Sequence, residues 1–262
     1  MSKTIAITNQ KGGVGKTTTA INLSAALAVS EVKVLLIDSD PQGNTTSGLG
    51  IEKIPGMPTT WDILVNSTDI HTAIRHTDLE GLDLIPADKH LIGVNFELAN
   101  VDNRESVLSN SLNAIKAEYD YILIDCPPAL DLLTLNALMA ADSALVPIQC
   151  EFFALEGVSE LMDTIERVRE SFGHPVAIEG ILLTMFDDRT NLTRQVAADL
   201  REFFQEQVFK TVIPRSVRLA EAPSHGKSIL SYDPGSKGSE AYIQLAKEIL
   251  SNEQKRSAKS AG

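Results

Sequence analysis

The sequence predicts an α/β fold of three layers, in which helices flank a central, mostly parallel and twisted sheet. Short apolar runs, typical of strands buried on both faces of a parallel sheet, lie at residues 33–38, 121–125, 144–148 and 179–185. A glycine-rich loop at residues 11–18 stands between a strand pattern at 4–8 and a helical pattern at 19–29. The chain has 262 residues, which is enough for one large domain. We expect that domain over residues 1–250, followed by a flexible tail over 251–262.

The remaining elements follow from the same periodicities. Further helices are predicted at residues 91–98, 105–117, 130–140, 152–172, 193–205 and 239–250. Shorter strands are predicted at residues 82–86 and 211–214. Residues 50–80 predict a loop with small helices at the edge of the sheet, where Trp61 is expected to anchor packing.

The loop at residues 11–18 has the composition of a phosphate-binding loop. Glycines allow the backbone to turn tightly and bring its N–H groups close to phosphate oxygens, and the following helix directs its positive end at the same anion. Lys16 supplies charge for the outer phosphates, and the Thr17 hydroxyl is a ligand suited to Mg²⁺. The residues expected to hold the nucleotide are Gly12, Gly13, Val14, Gly15, Lys16, Thr17 and Thr18. The sequence therefore predicts a fold of the P-loop NTPase type.

One feature departs from the usual pattern G-x-x-x-x-G-K-[ST]. Gln10 stands where the first glycine is expected, and a second lysine, Lys11, opens the loop. A glycine-rich turn carrying two solvated lysines is the alternative interpretation. The strand, loop, Gly-Lys-Thr sequence and helix occur in register, which favours the phosphate loop.

Three aspartates follow two of the predicted strands. Asp38 ends one strand, Asp40 lies in the polar turn at residues 39–44, and Asp125 ends another strand before two prolines. Ligands of parallel sheets gather at the carboxyl ends of the strands, so we expect these carboxylates to face the phosphate loop. An acid in such a position is also common as a simple cap or turn residue.

These segments together resemble the ParA/MinD family of deviant Walker ATPases. The resemblance rests on K-G-G-V-G-K-T, on D-S-D-P-Q-G-N and on the D-C-P-P segment that follows the second strand. The run V-I-P-R-S-V-R-L-A-E-A-P-S-H-G-K at residues 212–227 is similar to the chromosome-partitioning ParA (Soj) branch. The resemblance covers essentially the whole chain.

The resemblance implies ATP or ADP with Mg²⁺ as the bound cofactors. It implies that Lys11 reaches the nucleotide of a partner subunit and acts with Lys16 in catalysis, while Asp40 positions the attacking water. The metal-site residues that it implies are Thr17, Asp38 and Asp125. Asp125 ends a strand of the Walker B form, and we expect its carboxylate to hold the magnesium through water or to orient the hydrolytic site.

The C-terminal third is where the resemblance implies contacts with adenine and DNA. Backbone near Met185 and Pro214 is expected to line the adenine pocket. Arginines at the positions of Arg189 and Arg218 are expected to bind DNA without sequence preference, and we add Lys227, which ends the same run.

The function implied is ATP-dependent DNA partitioning of a chromosome or plasmid. An ATP-bound sandwich homodimer is expected to bind double-stranded DNA non-specifically. Hydrolysis is expected to release the DNA when the basic N-terminal peptide of a ParB-type partner engages the dimer.

A MinD-like ATPase that positions a protein or membrane cargo is the alternative. It needs an amphipathic C-terminal helix, but residues 251–262 contain no large apolar side chain. An iron-protein relative needs a cluster-bridging cysteine well beyond the Walker B acid, and Cys126 directly follows Asp125.

Composition limits the remaining classes. The net charge of −12 disfavours nucleic acid at first sight, but residues 184–262 carry 12 Lys and Arg against 10 Asp and Glu, whereas residues 1–183 carry 11 against 25. A balanced, solvated face remains the alternative interpretation of that final third. No apolar run approaches the roughly 18 residues of a membrane span. The chain has two cysteines and shows no signal peptide pattern. We therefore expect a cytoplasmic, nucleoid-associated protein that does not insert stably into a membrane.

Overall fold

The computed structural model describes residues 2–260, with the backbone alone at residues 257, 259 and 260, and within them it forms one sheet of eight strands. The strands are β1 (Lys3–Ile7), β2 (Val34–Asp38), β3 (Arg75–His76), β4 (Leu82–Ile85), β5 (Tyr121–Asp125), β6 (Ser143–Gln149), β7 (Ala177–Phe186) and β8 (Val208–Pro214). Their order across the sheet is β3-β4-β2-β5-β1-β6-β7-β8. All pair in parallel except β3, which runs antiparallel to β4. The mostly parallel sheet predicted from the apolar runs is confirmed.

Helices cover both faces of this sheet. The helices are α1 (Lys16–Ala28), α2 (Asn44–Gly48), α3 (Thr60–Val65), α4 (Ile70–Ala73), α5 (Val94–Glu97), α6 (Val107–Leu112), α7 (Leu132–Ala140), α8 (Ala154–Phe172), α9 (Asn191–Phe204), α10 (Val217–Glu221), α11 (Ile229–Tyr232) and α12 (Lys237–Ser260). Successive side chains of a strand point to opposite faces, so each strand contributes to two separate cores. Ile5 and Ile7 of β1 pack with α1 and α12, whereas Ala6 packs with α7 and α8. No helix within residues 2–260 combines the length and the apolar character that crossing a membrane requires.

Several predicted helix boundaries were wrong. Helix α1 begins at Lys16 rather than residue 19, so its N-terminal turn belongs to the glycine loop itself. The predicted helix at residues 105–117 is broken into a 3₁₀ turn (Arg104–Ser106), α6 and a second 3₁₀ turn (Lys116–Glu118). The predicted helix at 91–98 is likewise a 3₁₀ turn (Lys89–Gly93) followed by α5. In both places the buried apolar side chains continue through the break: Leu108, Leu112 and Ile115 in the first, and Leu91, Val94 and Leu98 in the second.

The helix predicted to end at residue 250 continues through Ser260, so that boundary was wrong, whereas the flexibility of the tail stays a prediction. Glu179 of β7 explains the difference, because its carboxylate is fully buried and needs cations around it. Lys3 Nζ lies 2.8 Å from Glu179 Oε2, and Arg256 Nη1 of α12 lies 2.9 Å from the same oxygen. Lys3 also pairs with Glu253 of α12. Residues 261 and 262 of the predicted tail lie outside the described residues, and the division into one domain stays a prediction.

We predict that Glu179→Ala lowers the free energy of unfolding by about 1–3 kcal/mol, because Lys3, which is largely buried, loses one of its two carboxylates and keeps only the partly exposed Glu253. Burial alone favours the neutral carboxyl, but Lys3 and Arg256 outweigh it and hold the pKa of Glu179 below its ordinary value. Denaturant unfolding followed by circular dichroism measures the loss. Glu166→Ala is the control, because Glu166 pairs with Arg169 at the surface and such pairs contribute about 1 kcal/mol or less. Equal losses in the two variants would contradict this role of the buried cluster.

Candidate active site

The glycine loop presents backbone N–H groups to an open space. Gly13 has φ +73° and Gly15 has φ +90°, a left-handed conformation that glycine adopts without steric penalty. Gly15 directly precedes α1, and no side chain caps that end of the helix. A Cβ added at Gly12 or Gly13 would meet no atom within 4 Å, so none of the described residues fills the space above the loop. Uncapped N–H groups around such a space form a site suited to an anion.

Lys16 lies inside this loop and is buried. Its Nζ donates a hydrogen bond of 3.0 Å to the carbonyl of Lys11, across the loop. Burial lowers the pKa of Lys16, and the nearby Asp125 carboxylate opposes that effect. The ammonium group is therefore held against the loop at the space that an incoming phosphate would enter, and an added anion would favour its charged form.

A cavity of about 450 Å³ opens above the loop. Met185 and Pro214, predicted to line an adenine pocket, both border it, together with Thr184 and Tyr242. Met185 has φ +48°, which is unusual for a residue with a side chain, and such strain concentrates at functional sites. The side chain of Val14 is fully buried instead, so Val14 contributes only backbone.

Two buried carboxylates lie side by side at the carboxyl ends of neighbouring strands. Asp38 of β2 and Asp125 of β5 are direct partners in the parallel register, and both are fully buried. Asp38 Oδ2 accepts hydrogen bonds from the Thr46 amide at 2.8 Å and the Thr46 hydroxyl at 2.7 Å. Asp125 Oδ2 accepts a hydrogen bond of 2.7 Å from the Thr45 hydroxyl. Asp125 Oδ1 is buried and has no hydrogen-bond partner among the described residues.

This pair has the properties of a site for a divalent cation. Burial raises the pKa of Asp125 to about 7, and the neighbouring Asp38 adds to the shift, whereas burial raises the pKa of Asp38 to about 6. A cation reverses such shifts, because it stabilises the charged carboxylates. Within residues 2–260, no three His, Cys, Asp or Glu side chains are arranged to hold a metal by themselves. A magnesium ion here would need the Thr17 hydroxyl and phosphate oxygens to complete its shell.

Asp40 lies at the border between the carboxylate pair and the cavity. Its side chain is 8% exposed and borders the cavity. Its backbone N–H donates to Asp38 Oδ1 at 3.2 Å, and its Oδ1 accepts a hydrogen bond of 2.9 Å from the backbone N–H of Gln42. These two hydrogen bonds fix the carboxylate on the phosphate side of the turn.

Lys11, by contrast, does not border the cavity of its own chain. Its Nζ lies 2.5 Å from Glu151 Oε2, and both side chains are close to half exposed. The lysine that opens the loop therefore points out of the site that the rest of the loop builds.

The predicted DNA-binding arginines lie beyond the carboxyl ends of β7 and β8, which pair with each other. Arg189 forms a two-pronged pair with Asp187, with Nε–Oδ1 at 2.8 Å and Nη2–Oδ2 at 2.7 Å. These bonds lower the pKa of Asp187 to about 2. Arg218 on α10 donates to Glu221 at 3.0 Å, and Lys227 is exposed. The two arginines are thus on the same side of the molecule, each held by a carboxylate.

Sequence reasoning missed several residues of the site. Thr45 and Thr46 follow the polar turn, and their position after two aspartates could have indicated them. Thr184 precedes Met185, and its hydroxyl donates to the Val14 carbonyl at 2.7 Å, which ties β7 to the loop. Tyr242 comes from α12, and no local pattern in the sequence could have placed it at the cavity.

Comparison with known proteins places the chain among nucleotide-binding relatives. A family model described as an AAA domain matches residues 2–178. The chain is 55% identical to the sporulation initiation inhibitor protein Soj of Bacillus subtilis, over 96% of this chain and 100% of that protein. It is 52% identical to the chromosome partitioning protein ParA of Caulobacter vibrioides, over 99% of this chain and 98% of that protein. Cobyrinic acid a,c-diamide synthase from Mycobacterium smegmatis, solved with bound ADP and magnesium, is 35% identical with a TM-score of 0.83, over 95% of this chain and 94% of that one.

The similarity to the two partitioning proteins extends well beyond the glycine loop. It spans almost the whole chain, and so includes the carboxylate pair and the C-terminal run at residues 212–227. The fold, the phosphate loop and this coverage agree, and the chain belongs to the Soj/ParA family.

Proposed function

We propose that this protein is an ATP-dependent DNA-partitioning ATPase. ATP and Mg²⁺ are its cofactors, its ATP-bound form is a sandwich homodimer, and that dimer binds double-stranded DNA without sequence preference. Hydrolysis, stimulated by a ParB-type partner, releases the DNA. The protein then acts at the nucleoid on a chromosome or plasmid cargo.

The observation that carries this proposal is the opposite orientation of the two lysines of the loop. Lys16 lines the cavity of its own site, whereas the Lys11 side chain points away from that cavity and pairs with an exposed glutamate, Glu151. A lysine side chain that does not enter its own cavity is available to a second copy of the chain. If Lys11 leaves Glu151 and contacts the phosphates bound to a facing subunit, nucleotide binding is coupled to dimer formation.

Each remaining group has a role in hydrolysis. The loop amides and Lys16 hold the phosphates, and Thr17 with the carboxylate pair would hold the magnesium ion, which supplies charge neutralisation at the transferring phosphate. Asp40 borders the cavity through a carboxylate fixed by Gln42, and it orients the attacking water. Lys11 from the facing subunit neutralises charge that develops on the phosphate, as an arginine finger does.

DNA binding follows from the placement of the arginines. Both lie on one side of the molecule, and a dimer presents each of them twice, so avidity rises without new contacts. In the monomer their charges are paired with Asp187 and Glu221. DNA phosphates must compete with these carboxylates for the arginines. A single protomer therefore binds DNA weakly, and the dimer is the form that binds. Phosphate-directed contacts of this kind are sensitive to salt and blind to sequence.

The far end of α12 favours a DNA cargo over the MinD-like alternative. A membrane-positioning relative needs a free amphipathic end, but Glu253 and Arg256 of α12 are tied to Lys3 and Glu179. The polar composition of residues 251–260 gives this end no apolar face to insert.

Slow turnover without a partner suits a DNA-bound state that must persist, and the ParB-type protein supplies the stimulus.

We predict that Lys11→Ala binds nucleotide but loses hydrolysis. Lys16 and the loop amides remain, so affinity for a fluorescent ATP analogue should stay close to that of the parent protein. The rate of phosphate release should fall by about 10³–10⁵-fold, or to background, if Lys11 acts like an arginine finger. Lys16→Ala is the matched control and should lose nucleotide affinity itself. Normal turnover in Lys11→Ala would remove Lys11 from the mechanism.

A second prediction concerns Arg218→Ala, which should weaken DNA binding while leaving ATP binding intact. The slope of log affinity against log salt should become shallower by roughly 0.9 for each phosphate that the variant no longer neutralises. Lys33→Ala removes the same charge from the amino end of β2, at the opposite end of the strands from the arginines, and should change neither quantity. Titration of a labelled duplex at several salt concentrations measures both. An equal fall in DNA and ATP binding in Arg218→Ala would indicate misfolding and refute its role at the DNA.

A further inference from the structure

The turn that follows α2 lies directly against the C-terminal run at residues 212–227. Gly50 has φ +76° and Gly226 has φ +65°, so both take the left-handed conformation that glycine adopts without steric penalty. A Cβ added at Gly226 would lie 2.8 Å from the Cα of Gly50, and one added at Gly50 would lie 3.1 Å from the carbonyl oxygen of Gly226. A side chain at Gly226 would therefore force the two backbones apart. We call this approach of Gly50 and Gly226 the glycine contact.

On one side, the glycine contact is joined to the carboxylate pair through α2. The Thr45 hydroxyl donates to Asp125 Oδ2 at 2.7 Å. The Thr46 amide and hydroxyl donate to Asp38 Oδ2 at 2.8 and 2.7 Å, and both threonines are fully buried. A helix of five residues is too short to be stable alone, so these buried bonds fix its position. A ligand that fixes the two carboxylates therefore fixes α2 and the turn at Gly50 as well.

The end of α2 also packs against the turn that contains Gly226. A Cβ added at Gly48 would lie 2.6 Å from Ile21 Cδ1 and 3.4 Å from Pro223 Cβ, so α2 ends between α1 and the C-terminal run. The backbone N–H of Gly226 donates to the Pro223 carbonyl at 3.0 Å. Pro223 and Gly226 thus belong to one hydrogen-bonded turn, and each of them meets the segment at residues 48–50.

On the other side, this turn adjoins the groups expected to contact DNA. Glu221, which accepts a hydrogen bond of 3.0 Å from Arg218, lies just before the turn, and Lys227 directly follows Gly226. The Lys227 amide donates to the carbonyl of Ala222 at 3.3 Å, and Ala222 is buried. A displacement of the turn therefore changes the position of Lys227 directly and that of Arg218 through Glu221.

We propose that the glycine contact makes the DNA surface sensitive to the nucleotide site within a single protomer. Occupancy of the phosphate loop and the carboxylate pair fixes α2, and the contact extends this order to residues 217–227. Arg218 and Lys227 are then held in place for DNA phosphates, and such preorganisation raises affinity. Gly50 and Gly226 are positioning residues, since neither borders the nucleotide cavity. The effect on DNA rests on the proposed function, whereas the coupling inside the protomer does not.

Gly226→Ala tests the contact, and Gly173→Ala is its matched control. Gly173 has φ +64°, close to the value at Gly226, but a Cβ there would meet no atom within 4 Å. Both variants therefore carry similar backbone strain, and only Gly226→Ala separates the two turns.

Duplex DNA is titrated into each variant with a non-hydrolysable ATP analogue and Mg²⁺. Gly226→Ala should bind DNA about fivefold or more weakly than the parent protein, which is the lower range of typical coupling between two sites. Gly173→Ala should bind DNA as the parent does, and both variants should keep the parent's affinity for the analogue. Unchanged DNA affinity in Gly226→Ala, or an equal loss in both variants, would overturn the proposal.

Hydrogen–deuterium exchange without DNA measures the coupling inside one protomer. ADP and Mg²⁺ are the ligands, because the proposed sandwich dimer needs ATP. In the parent protein they should slow exchange both at residues 38–48 and at residues 217–227. Gly50→Ala, which disturbs the contact from the α2 side, should keep the first protection and lose most of the second. Gly56→Ala should keep both, because Gly56 has φ +81° and a Cβ there would meet no atom within 4 Å.

The outcomes separate the glycine contact from the proposed function. Absence of ligand-induced protection at residues 217–227 in the parent, or equal protection there in Gly50→Ala, would refute the coupling. If Gly226→Ala also lost affinity for nucleotide, that variant would be misfolded and the exchange measurement on Gly50→Ala would decide. A parent protein that binds DNA in no nucleotide state would refute the proposed function, and the exchange measurement would still test the contact.

Discussion

The structure depends on a pair of carboxylates buried side by side where β2 and β5 end. Asp38 and Asp125 are both fully buried, and two charges in that position repel each other and lose their hydration. Threonine hydroxyls and backbone amides satisfy three of their oxygens, and one oxygen of Asp125 remains without a partner among the described residues. A cation bound above the pair would complete the arrangement. Nucleotide and metal binding would then stabilise the carboxyl ends of β2 and β5.

The same constraint explains why the phosphate loop and the carboxylates act as one site. Lys16 lies in a loop that presents open N–H groups, where burial lowers the pKa of its ammonium and the neighbouring Asp125 opposes that effect. Neither half is electrically balanced alone, because the phosphate loop with Lys16 is positive and the carboxylate pair is negative. A phosphate with its magnesium ion satisfies both at once. In the proposed mechanism, binding energy from such a ligand would bring a second subunit, with its Lys11, onto the site.

Much of the fold could be predicted because its signals are local. Apolar runs that end in aspartate mark parallel strands, and the spacing of glycines in the loop marks the turn before α1. The error at the end of α12 and the missed site residues came from contacts between residues far apart in sequence. Arg256 and Glu253 hold the end of α12 through Lys3 and Glu179, and no periodicity within residues 251–260 reveals that. Tyr242 reaches the cavity from the same helix, and Glu151 finds Lys11 across 140 positions. Resemblance supplied the roles of Lys11 and the arginines, which the residues alone left open.

An acidic chain that binds DNA needs a switch, because its net charge of −12 opposes the approach of a duplex. Binding of the purified protein to a duplex of arbitrary sequence, with ATP, with ADP and without nucleotide, at low and moderate salt, tests this most directly. A switch operated by ATP requires binding with ATP alone, and that binding should disappear as salt rises. Equal binding in all three nucleotide states, or none in any state while ATP is hydrolysed, would contradict it.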